Sequence, residues 1–239
     1  MDWLYWYCLV SEHITDAISL ADSASHYIIN KKLSRSIHNI LSEEGSHIDF
    51  SIRKNWKKFW LIDPLDGTKE FIKKNGEFTV NIALIENQIP ILGVVYAPIT
   101  KELYFANKGL GSFKIESIIN YKELETRKRI NLSNNTSAEK YTIVVSRSHL
   151  NDQTIDFINK KKEEYEKVKI LKFGSSLKIC KVAERKAHCY PRLGPTMEWD
   201  TAAAHAIVKY SGKNILNYST NTEISYNKEN LLNPNFVVI

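Results

Sequence analysis

The run Trp60-Leu61-Ile62-Asp63-Pro64-Leu65-Asp66-Gly67-Thr68 restricts this chain more than any other stretch. Phe59 to Ile62 is apolar or aromatic throughout and reads as a buried strand, expected to stop at Pro64. Pro64 fixes its own φ and bars the helical conformation for Asp63, while Gly67 permits a backbone geometry that other residues resist. Two carboxylates are therefore held on one stiff corner. Like charges so placed repel unless something positive sits between them. Mg²⁺, a hard cation that takes oxygen ligands, suits the pair. A plain capped turn, with Asp66 bonded to a nearby N–H, suits the same residues.

Upstream, Asp16 to Ile29 patterns as a helix with Ala17, Ala21, Ala24 and Ile28 to one side and Asp22 near its middle, and weaker helical patterning continues over Lys31 to Ile40. Leu41-Ser42-Glu43-Glu44-Gly45 closes that segment at a turn. Downstream of the corner, Lys69 to Lys73 reads as a short helical turn. Phe78 to Ile85, Ile91 to Tyr96 and Leu103 to Ala106 follow as strands on short connections, which predicts an antiparallel sheet. Asn131 to Lys140 is polar and reads as a linker. Beyond it come a strand over Thr142 to Val145, a polar-faced helix over Asn151 to Lys167 and a strand over Val168 to Phe173. A helix opened by Gly174-Ser175-Ser176 and running through Ala187 comes next, then a last helix over Glu198 to Tyr210. The expected division is an α+β part over 1–133 and an α/β part over 134–239.

With 239 residues, 43% of them hydrophobic and 25% charged, the chain can bury a sizeable core. A net charge of +6 suits an anionic ligand, although the lysines are spread along the chain. No zinc-finger spacing, basic region with heptads or RNA-binding aromatic signature is present, so nucleic acid is not an expected partner. Cys8, Cys180 and Cys189 have no paired spacing, which points to a reducing cytoplasm. Met1 to Val10 is aromatic-rich but has no basic leader or cleavage site and is too short to span a bilayer. No integral membrane segment is expected, and contact with the inner face of the cell membrane is the most this segment offers.

A site for two divalent ions draws carboxylates from several elements and clamps the attacking and leaving oxygens of an in-line displacement. Glu43 and Asp200 are candidates to join Asp63 and Asp66. Each has an ordinary alternative, Glu43 as a solvated acid and Asp200 as a carboxylate favoured by the dipole in a first helical turn.

Asp63-Pro64-Leu65-Asp66-Gly67-Thr68 together with Glu198-Trp199-Asp200-Thr201-Ala202-Ala203 resembles the two signatures of the inositol-monophosphatase superfamily of Mg²⁺-dependent, lithium-sensitive phosphatases. The runs from Trp60 to Ile85, Pro90 to Pro98, Ser146 to His149, Gly174 to Lys178 and Tyr190 to Ala204 resemble its 3′(2′),5′-bisphosphate nucleotidase branch. The resemblance implies a layered sandwich of α+β and α/β character, of the inositol monophosphatase / fructose-1,6-bisphosphatase type. It implies removal of the 3′-phosphate of adenosine 3′,5′-bisphosphate, with 3′-phosphoadenylyl sulfate as a second substrate. Two or more Mg²⁺ ions are implied, with Glu43, Asp63, Asp66, Asp200 and the Leu65 carbonyl as ligands. Asp22, Glu43 and Thr68 take the catalytic roles, Thr68 relaying a proton from the attacking water to Asp22. Asp66, Gly67, Thr68, Ser176, Lys178, Arg192 and Asp200 are the implied substrate contacts, with Ser146 and Arg147 weaker candidates. His149 and His205 are expected to be structural or to support the site from behind.

Three features depart from the family pattern. The N-terminus is shorter by most of a helix, and Ala17-Ile18-Ser19-Leu20-Ala21 replaces the usual proline- and threonine-containing run before Asp22. Arg185 stands where the branch commonly has glycine, and His188 replaces a small or acidic residue. A buried arginine there would need a partner or solvent. Two other functions stay compatible with the sequence: a phosphatase of inositol or sugar phosphates, and a non-catalytic nucleotide-binding homologue.

Overall fold

The structure is a computed structural model that describes residues 19–135 and 138–239. The readings made for Met1 to Val10, for Cys8 and for positions 16–18 lie outside the described residues. Helix α1 runs over 19–33. It turns Asp22 inward at 8% exposure and leaves Leu20 71% exposed.

The helical patterning predicted for Lys31 to Ile40 does not persist. The chain turns after α1, where the Ser34 N–H reaches the Asn30 carbonyl at 2.8 Å, and enters strand β1 (Asn39–Ser42). Parallel pairing of Leu41 with Leu61 of β2 (Lys58–Asp66) buries Leu41, and this tertiary pairing overrides a weak helical period. A short helix, α2 (Phe50–Arg53), lies between the two strands.

The sheet has seven strands in sequence order, antiparallel after the first pair: β3 (Thr79–Glu86), β4 (Ile89–Ala97), β5 (Glu102–Asn107), β6 (Gly111–Ile115) and β7 (Ile130–Asn131). Two expectations change here. Strand β2 does not stop at Pro64; it continues to Asp66 with a register shift against β3 between Asp63 and Asp66. Proline lacks a ladder donor, so this irregularity is where a sheet tolerates it. The predicted polar linker begins instead as β7 and a 3-10 turn (Leu132–Asn134) whose Leu132 is fully buried.

The remaining chain gives β8 (Tyr141–Ser146), α4 (Asp152–Glu164) and β9 (Val168–Phe173), the strands pairing in parallel. Helix α5 (Leu177–Ala183) ends four residues before the predicted Ala187. Strand β10 (Tyr190–Arg192) and helix α6 (Glu198–Lys209) follow. Two strands that periodicity did not reveal, β11 (Ile215–Asn217) and β12 (Phe236–Val238), complete a three-stranded antiparallel sheet with β10. A single apolar cluster joins Leu41, Leu61 and Val95 of the large sheet to Val182, Ala203 and Phe236. Among the described residues no helix is long and apolar enough to cross a membrane.

Helix α6 lies unusually close to β4. A Cβ built on Gly93 would fall 2.1 Å from the Ala203 carbonyl oxygen, so only glycine on the strand and alanine on the helix allow this approach. Helix α5 is anchored by charge. Lys114 of β6, 2% exposed, contacts Glu102, Glu116 at 2.9 Å and Glu184 at 3.5 Å, and Lys181 bonds Glu184 at 2.7 Å.

Arg185, just past α5, has φ +59°, the left-handed conformation that favours glycine. Its side chain is half-buried and donates from Nη2 to the Ser133 carbonyl at 3.4 Å, while its Nε is buried without a partner.

Two outcomes follow for stability. Arg185→Gly relieves the left-handed strain and is expected to stabilise the fold by ~1 kcal/mol, read from denaturant unfolding. Gly93→Ala forces α6 off the sheet and is expected to cost ~3 kcal/mol or more by the same measurement.

Candidate active site

The shift in β2 aims Asp63 and Asp66 out of one strand end, and Gly67, at φ +95°, turns the chain into helix α3 (Thr68–Ile72). A side chain at that φ would be strained. Asp200 arrives from the first turn of α6, where its Oδ2 accepts the Met197 N–H at 2.8 Å. One oxygen from each of Asp63, Asp66 and Asp200 lies within 4.8 Å of the others. The three acids, up to 137 residues apart in the sequence from Asp63 to Asp200, thus converge.

The hydrogen bonding of these acids is divided in the same way in all three. Asp63 Oδ1 accepts the Leu65 N–H at 3.0 Å, while its Oδ2 is buried with no partner. Asp66 Oδ2 lies within reach of the Ser176 N–H at 2.6 Å, Ser176 Oγ at 2.8 Å, Asn81 Nδ2 at 3.2 Å and Thr79 Oγ1 at 3.3 Å. Among the described residues no donor reaches Asp66 Oδ1 or Asp200 Oδ1. Each carboxylate is oriented through one oxygen and offers the other. A buried oxygen without a donor is costly unless something positive meets it.

The electrostatics agree. Burial, and then the charges of Asp66, Glu43 and Asp200, push the Asp63 carboxyl well above the usual carboxylate range. Asp200 is pushed up to about 7 by burial and by Asp66. Glu43 is raised by desolvation and by the charges of Asp66 and Glu44. An all-oxygen, multiply anionic donor set with an orphaned inward oxygen fits a hard divalent cation such as Mg²⁺.

The acids line a cavity of about 290 Å³. Glu43, Leu65, Gly67, Thr68, Ser176, Lys178 and Arg192 line it as well. Lys178 is buried, donates to the Ser175 carbonyl at 2.5 Å and lies 5.6 Å over the Tyr190 ring, and burial pulls its ammonium down to about 8. Arg192 donates to the Pro195 carbonyl at 2.7 Å. His149 also lines the cavity, its basicity lowered by burial and by Lys69, Arg192 and Lys178.

Asp22 stands apart. It does not line the cavity, and among the described residues it makes no hydrogen bond to Thr68. It sits behind Glu43 and Glu44, pushed up to about 7 by burial and by their charges, with Oδ1 unpartnered. Helix α1 is tied to the corner by Ser25 Oγ, which donates to the Pro64 carbonyl at 3.0 Å. Arg147 is occupied by a two-pronged pair with Glu77, at 2.9 and 2.6 Å. His205 is fully buried between Tyr226 and Asn214.

Thr79 and Asn81 were not foreseen. The sequence pattern groups them opposite Phe78, Val80, Ile82 and Leu84, yet the buried face of β3 is that of Thr79, Asn81, Ala83 and Ile85. Two polar residues heading a face that ends in Ala83 and Ile85 were the available signal.

A profile of the inositol monophosphatase family matches residues 10–237. The chain belongs to the inositol monophosphatase family. Among curated relatives, the 3′(2′),5′-bisphosphate nucleotidase CysQ of Salmonella typhimurium is 43% identical over 223 residues, covering 92% of this chain and 84% of the relative. The same enzyme of Buchnera aphidicola is 45% identical over 218 residues, covering 87% and 77%. The crystal structure of CysQ from Bacteroides thetaiotaomicron superposes with a TM-score of 0.85 at 44% identity, covering 91% of this chain and 82% of that one. An IMPase/NADP phosphatase complexed with Mg²⁺ and phosphate superposes with a TM-score of 0.70 at 18% identity, a likeness of fold, covering 91% and 75%.

The crowding of acids has a measurable consequence. A carboxyl raised in the folded state contributes stability that is lost as pH rises through its folded value. Metal-free protein should therefore gain stability between pH 8 and pH 6, as Asp200, at about 7, takes up its proton. Asp63→Asn should raise the metal-free melting temperature at pH 8 while abolishing the further rise that Mg²⁺ produces in wild type.

Proposed function

We propose that this chain is a Mg²⁺-dependent 3′(2′),5′-bisphosphate nucleotidase that removes the 3′-phosphate of adenosine 3′,5′-bisphosphate, with 3′-phosphoadenylyl sulfate as a second substrate. The observation that carries the reading is the nest of Asp63, Asp66 and Asp200, each with one oxygen free, in the wall of a cavity that Lys178 and Arg192 also line. Similarity to CysQ nucleotidases over most of the chain supplies the substrate class.

Glu43, Asp63, Asp66, Asp200 and the Leu65 carbonyl would hold two or more Mg²⁺ ions. Bound there, the ions supply Lewis acidity to phosphoryl, attacking and leaving oxygens. The chain's own groups do the rest. Thr68, exposed at the first position of α3, orients the attacking water, and Glu43, which lines the same cavity, takes its proton. Lys178 and Arg192 face the nucleotide's remaining anionic oxygens. Gly67 and Ser176 form part of the cavity wall. Burial of Lys178 strengthens its pull on an anion once solvent is displaced.

Phosphate release measured across adenosine 3′,5′-bisphosphate, 3′-phosphoadenylyl sulfate and inositol monophosphates tests the assignment. The bisphosphate is expected to be the best substrate and to require Mg²⁺; a preference for inositol phosphate would overturn the substrate reading. Asp66→Asn is expected to lower kcat/KM by ~1,000-fold, because a metal site supplies several kcal/mol of transition-state stabilisation.

A further inference from the structure

We propose that Thr79 and Asn81 are positioning residues for the metal site and act through Asp66. The inference rests on the Mg²⁺ reading above. Both residues are almost fully buried, at 0% and 1% exposure, on the inward face of β3. Polar side chains in such places are costly unless their hydrogen bonds are made. Here the bonds converge on one atom, Asp66 Oδ2, which Asn81 Nδ2 approaches at 3.2 Å and Thr79 Oγ1 at 3.3 Å.

The same donors are cross-linked. Asn81 Nδ2 lies 2.9 Å from Ser176 Oγ, and Thr79 Oγ1 lies 3.0 Å from Asn81 Oδ1 and 3.1 Å from Ser175 Oγ. Ser176 Oγ in turn lies 2.8 Å from the Asp200 carbonyl oxygen. One network therefore spans β3, the corner of β2, the start of α5 and the start of α6.

The consequence is rotational. With Oδ2 held from β3 and from Ser176, the Asp66 carboxylate is restrained about its last bond, and Oδ1 is left without a donor among the described residues. The site is thereby ordered before the cation arrives, and affinity is gained by what no longer has to be ordered. Ser176 belongs to this network through both its N–H and its Oγ, so its part is to hold Asp66 rather than to contact substrate. A network linking both halves of the cleft also makes metal affinity depend on their packing together.

The test compares Thr79→Val, Thr79→Ser and Asn81→Leu with wild type by titration calorimetry with Mg²⁺ alone, followed by Mg²⁺ and substrate dependence of phosphate release. Thr79→Val and Asn81→Leu are expected to weaken Mg²⁺ binding by ~10-fold. Thr79→Ser, which restores the hydroxyl, is expected to bind like wild type. The Mg²⁺ concentration for half-maximal activity should shift in parallel, with KM for the bisphosphate at saturating Mg²⁺ unchanged. If Thr79→Val and Asn81→Leu fold and bind Mg²⁺ like wild type, the two residues are merely structural and the proposal fails. If Asn81→Leu does not fold, the Val and Ser pair at position 79 decides. If wild type itself binds no Mg²⁺, the metal reading falls and this inference with it.

Discussion

Mutual repulsion among crowded carboxylates is the constraint around which the rest of this molecule is arranged. Asp63, Asp66 and Asp200 bring oxygens within 4.8 Å of one another, and the burial of Asp63, with Asp66 and Asp200 half-buried, limits how far water screens them. Nothing about the acids themselves favours that meeting. It is imposed by the β2 irregularity on one side and by the start of α6 on the other. Backbone donors at Leu65, Ser176 and Met197 offset part of the cost, each by taking one carboxylate oxygen. The oxygens left over define where positive charge is wanted.

Holding such a cluster requires a stiff frame, and the frame is visible in two contacts remote from the acids. Helix α6 is pressed onto β4 where Gly93 meets Ala203, so the helix that carries Asp200 cannot drift from the sheet that carries Asp63. Helix α5, whose start carries Ser176, is fixed by Lys114, Lys181 and Glu184. Burial would raise the Glu184 carboxyl, but the Lys181 and Lys114 ammoniums and their hydrogen bonds hold it down at about 2.

The two substitutions that depart from the family pattern after α5 are absorbed locally. Arg185 takes up a left-handed conformation at the helix end. His188 accepts the Thr142 N–H at Nδ1 at 3.0 Å and stacks on Tyr141 with ring centroids 4.9 Å apart, so it joins the start of β8. Neither residue lines the cavity. The cavity is lined by both signs of charge, Asp63, Asp66 and Asp200 together with Lys178, Arg192 and His149.

Local order along the chain was enough to locate the Asp63–Asp66 corner, the alternation of β3 and the start of α6, because proline, glycine and hydrophobic period act on their immediate neighbours. The same signals could not foresee that residues 39–42 form a strand, that β2 runs on to Asp66, or that β11 and β12 join β10, since those outcomes depend on pairing between distant segments. Family resemblance nominated Asp200 as a companion of Asp63 and Asp66, but no spacing could show them converging. Which face of β3 is buried, and hence that Thr79 and Asn81 stand behind Asp66, was decided only by tertiary packing. The physical reason is that hydrogen-bond donors and charges act over a few ångströms in space, whereas sequence patterns report only on neighbours along the chain.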